Sequence, residues 1–100
     1  MTQVSQEDVA EAVKLKLPPR YNVILLNDDS TPMEFVINIL QTIFNKTTSE
    51  AEAVMLAVHE KGRGTAGTYS YEVAEQKCVE TITDARRNQY PLDVTLEKTE

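Results

Sequence analysis

Three consecutive polar residues, Asn27, Asp28 and Asp29, separate an apolar run from the start of an apolar helix pattern. A side-chain carbonyl and two carboxylates at one junction are acceptors suited to a cation, and an ammonium offers them up to three donors. His59, the one histidine of the chain, adds an acceptor when its imidazole is neutral. Met33 and Val36 follow the polar triplet closely, and Met55 and Val58 precede His59 at helical spacing. Each observation also has an ordinary structural reading. Asn and Asp favour turns and suit helix N-termini. A histidine ending an apolar stripe often only packs there, and Met, Val and the later Leu92 are core by default.

The elements that must hold these groups follow from the pattern. Residues 21–26 read as a strand whose continuous apolar run, Val23-Ile24-Leu25-Leu26, suits a central position. Thr31, Pro32 and Glu34 spell a helix start: Thr31 as cap, Pro32 at the first turn, Glu34 completing a capping box. That helix should cover residues 32–45, with Phe35, Val36, Ile39, Leu40, Ile43 and Phe44 recurring at helical spacing. A second capping box, Thr47-x-x-Glu50, opens a helix that Gly62 ends. Met55 and His59, four residues apart, project from one side of it. Residues 62–67 read as a loop, 68–70 as a short strand, and 71–87 as a third helix capped by Ser70. Leu92, Val94 and Leu96 then alternate as a last strand. The order β-α-α-β-α-β gives a two-layer α+β domain, three strands beside three helices, over residues 18–100. Residues 1–17 carry only a thin apolar stripe before Pro18-Pro19 and read as a flexible extension.

Composition narrows the function classes. One hundred residues make one domain with little room for an elaborate catalytic site. A net charge of −6 argues against nucleic acid, whose binding calls for clustered Lys and Arg. Cys78 is alone, so no intrachain disulfide forms. One histidine beside carboxylates lacks the further nitrogen or sulfur ligands usual at zinc, so neither a metal nor another cofactor is expected. Gly62-x-Gly64-x-x-Gly67 matches the letters of a dinucleotide fingerprint, but it follows a helix rather than a strand. No apolar run is long enough to span a membrane, and the N-terminus reads as neither a signal nor a transit peptide.

Asn-Asp-Asp-x-Thr-Pro-Met-Glu-Phe-Val at residues 27–36, Met55-Leu56-Ala57-Val58-His59, and Tyr71-Glu72-Val73-Ala74-Glu75-x-Lys77 together resemble the ClpS family. These are adaptors that deliver N-degron substrates to the ClpAP protease. The resemblance runs from about Pro18 to Glu97. It implies a small antiparallel sheet packed on three helices, a monomer when free and no enzymatic activity; the lack of a transit pattern favours a bacterial cytoplasm over a plastid. It further implies that Asn27, Asp29 and His59 receive the α-amino group of a substrate, Asp29 through a water, with Asp28 a weaker candidate. Thr31, Pro32, Met33, Val36, Met55, Val58 and Leu92 would surround the first side chain, with Met33 as a gate favouring Leu, Phe, Tyr or Trp. Glu72 and Lys77 would dock on the N-terminal domain of the ClpA unfoldase, an AAA+ protein. Ser30 departs from the pattern, since many members carry an aromatic residue there. Two rival readings of the residues are an acid–base enzyme built on His59 with Asp28 or Asp29, and a relative of the ribosomal stalk domain with the same architecture.

Overall fold

The apolar run at residues 23–26 forms the middle of a sheet. A computed structural model describes residues 18–99, so the expected extension at 1–17 lies outside the described residues. Strand β1 (Arg20–Leu26) runs antiparallel to β2 (Arg63–Ser70) on one side and to β3 (Asp93–Lys98) on the other, in the order β2-β1-β3. Helices α1 (Met33–Thr42), α2 (Thr48–Lys61) and α3 (Tyr71–Arg87) complete the expected β-α-α-β-α-β order. Val23 and Leu25 point into the helical layer and are fully buried beside Val36, Ile39, Leu40, Ala51, Val58, Ala74, Ala85 and Leu92. Ile24 points to the opposite face with its partners Thr65 and Thr95, yet it too is buried. On that face an Arg63–Glu97 ion pair links the two outer strands across β1.

The helix ends show which local rules operate. The Thr47–Glu50 capping box is present: the Glu50 amide donates to Thr47 Oγ1 at 3.1 Å and the Thr47 amide to Glu50 Oε1 at 2.9 Å. The expected box at Thr31 and Glu34 is absent. Pro32 takes the cap position without a side-chain hydrogen bond, and its carbonyl receives the Phe35 and Val36 amides. The Thr31 hydroxyl is engaged elsewhere, on Asp28. Ser70 occupies the cap position of α3, but its hydroxyl makes no cap hydrogen bond. Helix α1 ends at Thr42, and Asn45 takes a left-handed conformation (φ 53°) as the chain turns toward α2.

The expected loop at residues 62–67 is mostly strand. Gly62 alone makes a turn, with a left-handed φ of 86°, and β2 begins at the next residue. Gly64 lies inside the ladder where α2 crosses: a Cβ there would sit 2.9 Å from Val58 Cγ2 and 3.0 Å from the Val54 carbonyl. Absence of a side chain serves close packing here rather than a bend. A bulge then shifts the β1–β2 register between Val23 and Ile24, placing Ala66 in the core.

Candidate functional site

Because β2 starts directly after α2 and returns antiparallel to β1, the ends of β1 and α2 meet. Leu26 pairs with Arg63, and the Asn27 amide donates to the Gly62 carbonyl at 3.0 Å. His59 sits just under one turn before Gly62 on the same helix. Asn27 and His59, 32 positions apart in the chain, thereby line one recess of about 380 Å³. Asp28, Asp29, Ser30, Thr31 and Pro32 continue its rim. Met33 and Val36 from α1, with Met55 and Val58 from α2, form its apolar walls. Residues three and four apart share a helix face, which is why 33 and 36, and 55, 58 and 59, reach the recess together. Val36 and Val58 are buried and also belong to the core, whereas Met33 is 43% exposed.

The acidic residues of the rim divide the work. Asp28 Oδ1 accepts the Ser30 amide at 2.7 Å and the Thr31 amide at 2.6 Å, while Oδ2 accepts the Thr31 hydroxyl at 2.7 Å. Partial burial by itself would raise the Asp28 pKa. The hydrogen bonds from Thr31 and Ser30, assisted by the positive charge of Arg86, outweigh it and hold the carboxyl below the ordinary value of 3.8. Asp28 therefore braces the loop. Asn27, Asp29 and His59 are exposed, and their side chains make no hydrogen bond to another described residue. The arrangement is a stiff loop presenting acceptors above an apolar hollow, which can hold a group that is cationic at one end and greasy at the other.

Three residues expected to act on partners are placed otherwise or apart. Leu92 does not line the recess: it is 1% exposed, packed in the core at the entrance to β3. Lys77 is half-buried and turned inward. Its Nζ donates to the Ile43 carbonyl at 2.7 Å, where α1 ends, and lies 5.5 Å from the Tyr69 ring centroid and 6.0 Å from that of Phe44. Glu72 is exposed on the first turn of α3, away from the recess, between the exposed side chains of Tyr71 and Val73. The exposure of Tyr71 and Val73 has no signal in composition. Ser30 also lines a second, shallower groove with Arg86, Gln89, Tyr90 and Pro91.

Residues 16–95 match the family described as ATP-dependent Clp protease adaptor protein ClpS. The chain belongs to the ClpS family. The ATP-dependent Clp protease adapter protein ClpS of Phenylobacterium zucineum is 51% identical over 85 residues, spanning 85% of this chain and 78% of that relative. The adapter of Hydrogenovibrio crunogenus is 52% identical over 84 residues, spanning 84% of this chain and 81% of its own length. Among solved structures, Agrobacterium tumefaciens ClpS2 bound to L-phenylalaninamide superposes with a TM-score of 0.80 at 32% identity, covering 83% of this chain and all of that one. Membership in ClpS makes the protein a non-catalytic adaptor whose partner is a Clp protease. The acid–base enzyme and the stalk-domain relative are thereby set aside. Among the described residues no helix is long and apolar enough to cross a membrane, and no three His, Cys, Asp or Glu residues are grouped to hold a metal.

Proposed function

We propose that the recess captures the first residue of an N-degron: the free α-amino group on Asn27, Asp29 and His59, and a bulky hydrophobic side chain, Leu, Phe, Tyr or Trp, between Met33, Val36, Met55 and Val58. The observation that carries this reading is the joining of exposed acceptors and apolar walls in one hollow built from two helices and a braced loop. The relative from Agrobacterium tumefaciens supports it, since L-phenylalaninamide unites a free amino group with a bulky apolar side chain. Thr31 and Pro32 shape the mouth, and Asp28 acts through the loop rather than on the ligand.

Captured substrates then pass to a ClpA-type unfoldase in the bacterial cytoplasm for degradation by ClpP. Glu72, flanked by exposed Tyr71 and Val73, suits docking on the unfoldase N-terminal domain, because rim charges set register and on-rate around an apolar contact. Lys77 contributes by fixing α1 against α3 rather than by offering a free charge. The monomer binds without turnover, and the partner spends the ATP.

Fluorescence anisotropy with a labelled peptide beginning with Leu, beside the same peptide N-acetylated, tests the capture step. Acetylation removes the charge and two donors but leaves the Leu side chain. Binding near micromolar, about −8 kcal/mol, with a large loss on acetylation is expected. Equal binding of the two peptides, or none, overturns the reading.

A further inference from the structure

The groove beside the recess has a chemistry of its own. Ser30 lines both hollows, so they adjoin at a residue that carries only a hydroxymethyl group. Past Ser30 the groove is bounded by Arg86, Gln89, Tyr90 and Pro91. Two of these side chains are held in place. Arg86 Nη1 donates to the carbonyls of Tyr90 and Leu92, both at 2.8 Å, which pins a guanidinium that forms no ion pair among the described residues. The Tyr90 ring packs edge-on against Phe35, with centroids 4.8 Å apart and planes at 64°. The backbone beneath is a tight turn: Gln89 adopts φ 62°, and the Tyr90 amide reaches the Ala85 carbonyl at 2.8 Å. A pinned guanidinium, a fixed phenol ring and a proline form a surface on which an aromatic ring stacks, and little ordering cost remains to be met on binding.

We propose that this groove is a second subsite of the adaptor, taking an aromatic side chain from the second or third residue of the bound N-degron. The inference rests on the capture of the first residue in the neighbouring recess. An extended chain advances about 3.3–3.6 Å per residue, so the second and third residues lie within reach of the opening at Ser30. An aromatic residue at position 30 would occupy that opening from the protein side; Ser30 leaves it to the substrate.

The test compares four peptides that begin with Leu and are otherwise identical: Ala at positions two and three, Phe at two, Phe at three, and Glu at two. Affinities come from competition anisotropy, with the N-acetylated Ala peptide as control. One of the Phe peptides is expected to bind about two- to fivefold more tightly than the Ala peptide, the scale of an exposed cation–π contact. Amide and Arg Nε–H shifts at Arg86, Gln89 and Tyr90 should move with that peptide and stay still with the Ala peptide. Equal affinities for Phe and Ala overturn the subsite, as does a Phe advantage without shifts at those residues. An advantage for Glu alone assigns Arg86 to carboxylates and overturns the aromatic preference. Loss of the free-versus-acetylated difference removes the first-residue reading, and this inference with it. With that difference intact, a flat series removes this inference alone.

Discussion

Thr31 places both its hydroxyl and its backbone amide on the carboxylate of Asp28, at 2.7 and 2.6 Å. One acidic residue thereby replaces the helix cap that Thr31 would otherwise make, and the loop carrying Asn27 and Asp29 is tied to the start of α1. Replacing Asp28 by Ala should lower stability by about 1–2 kcal/mol, in line with the loss of a side-chain cap at a helix start. The pH dependence has a definite sign. The folded Asp28 pKa lies below its ordinary value, so the unfolded chain binds the extra proton. Its contribution is complete above the ordinary Asp range and is lost as pH falls through the lower folded value. Urea titrations between pH 7 and 3 should show a steeper acid-side decline for the wild-type protein than for Asp28→Asn; parallel declines would contradict the brace.

Asn27→Ala and His59→Ala should each weaken binding of a Leu-initiated peptide by roughly 10- to 100-fold, the scale of one charge-assisted hydrogen bond, while the melting temperature stays near the wild-type value. Asn27 is anchored by its backbone amide on Gly62, which an Ala retains, and His59 is exposed. Unchanged affinity in both variants would sink the clamp.

How far the sequence reveals this site depends on what each residue competes with. Thr47 and Thr31 stand in the same four-residue pattern, and only Thr47 makes the box. Asp28, three residues before Thr31, offers a carboxylate that wins its hydroxyl, a local competition a capping rule does not contain. The glycines at 62, 64 and 67 look alike as letters. Only Gly62 bends the chain, and Gly64 is required by the closeness of α2, a tertiary fact invisible to local reading. Helical spacing, by contrast, put Met33 with Val36 and Met55 with Val58 and His59 on single faces, and those faces meet in the recess. Joining Asn27 to His59 took the antiparallel return of β2, which periodicity alone does not contain; the motif order of the family suggested it.

Of the four apolar wall residues of the recess Met33 is the exposed one: Met55 is half-buried, and Val36 and Val58 are buried. Shortening Met33 to Ala should admit first residues branched at Cβ. Peptides beginning with Ile or Val should gain roughly tenfold or more relative to Leu, the lower end of what a methylene-scale change in an apolar pocket gives. Competition anisotropy across Leu, Ile, Val and Phe peptides measures this. Continued rejection of Ile and Val would remove Met33 as the gate.

Leu92 belongs to the core and not to the recess wall, so Leu92→Ala should act on stability. A loss of about 2–5 kcal/mol is expected for truncating a fully buried Leu, seen as a lower urea midpoint. Below the unfolding transition, the preference for Leu over Ile as first residue should be unchanged. A variant with native stability and altered preference would return Leu92 to the pocket.

Glu72 and Lys77 stand five positions apart on α3 but should separate cleanly by experiment. Lys77→Ala removes a hydrogen bond to the end of α1 and a cation held near two rings, an expected cost of about 1–2 kcal/mol in stability. Glu72→Ala leaves every described hydrogen bond in place, so its stability should be native. Its effect should fall on association with the unfoldase N-terminal domain, mainly as a slower on-rate whose difference from wild type shrinks with added salt. Surface-bound unfoldase domain and the two variants at two ionic strengths decide it. Native association by Glu72→Ala would move the docking surface off the first turn of α3, whatever Lys77 does to the fold.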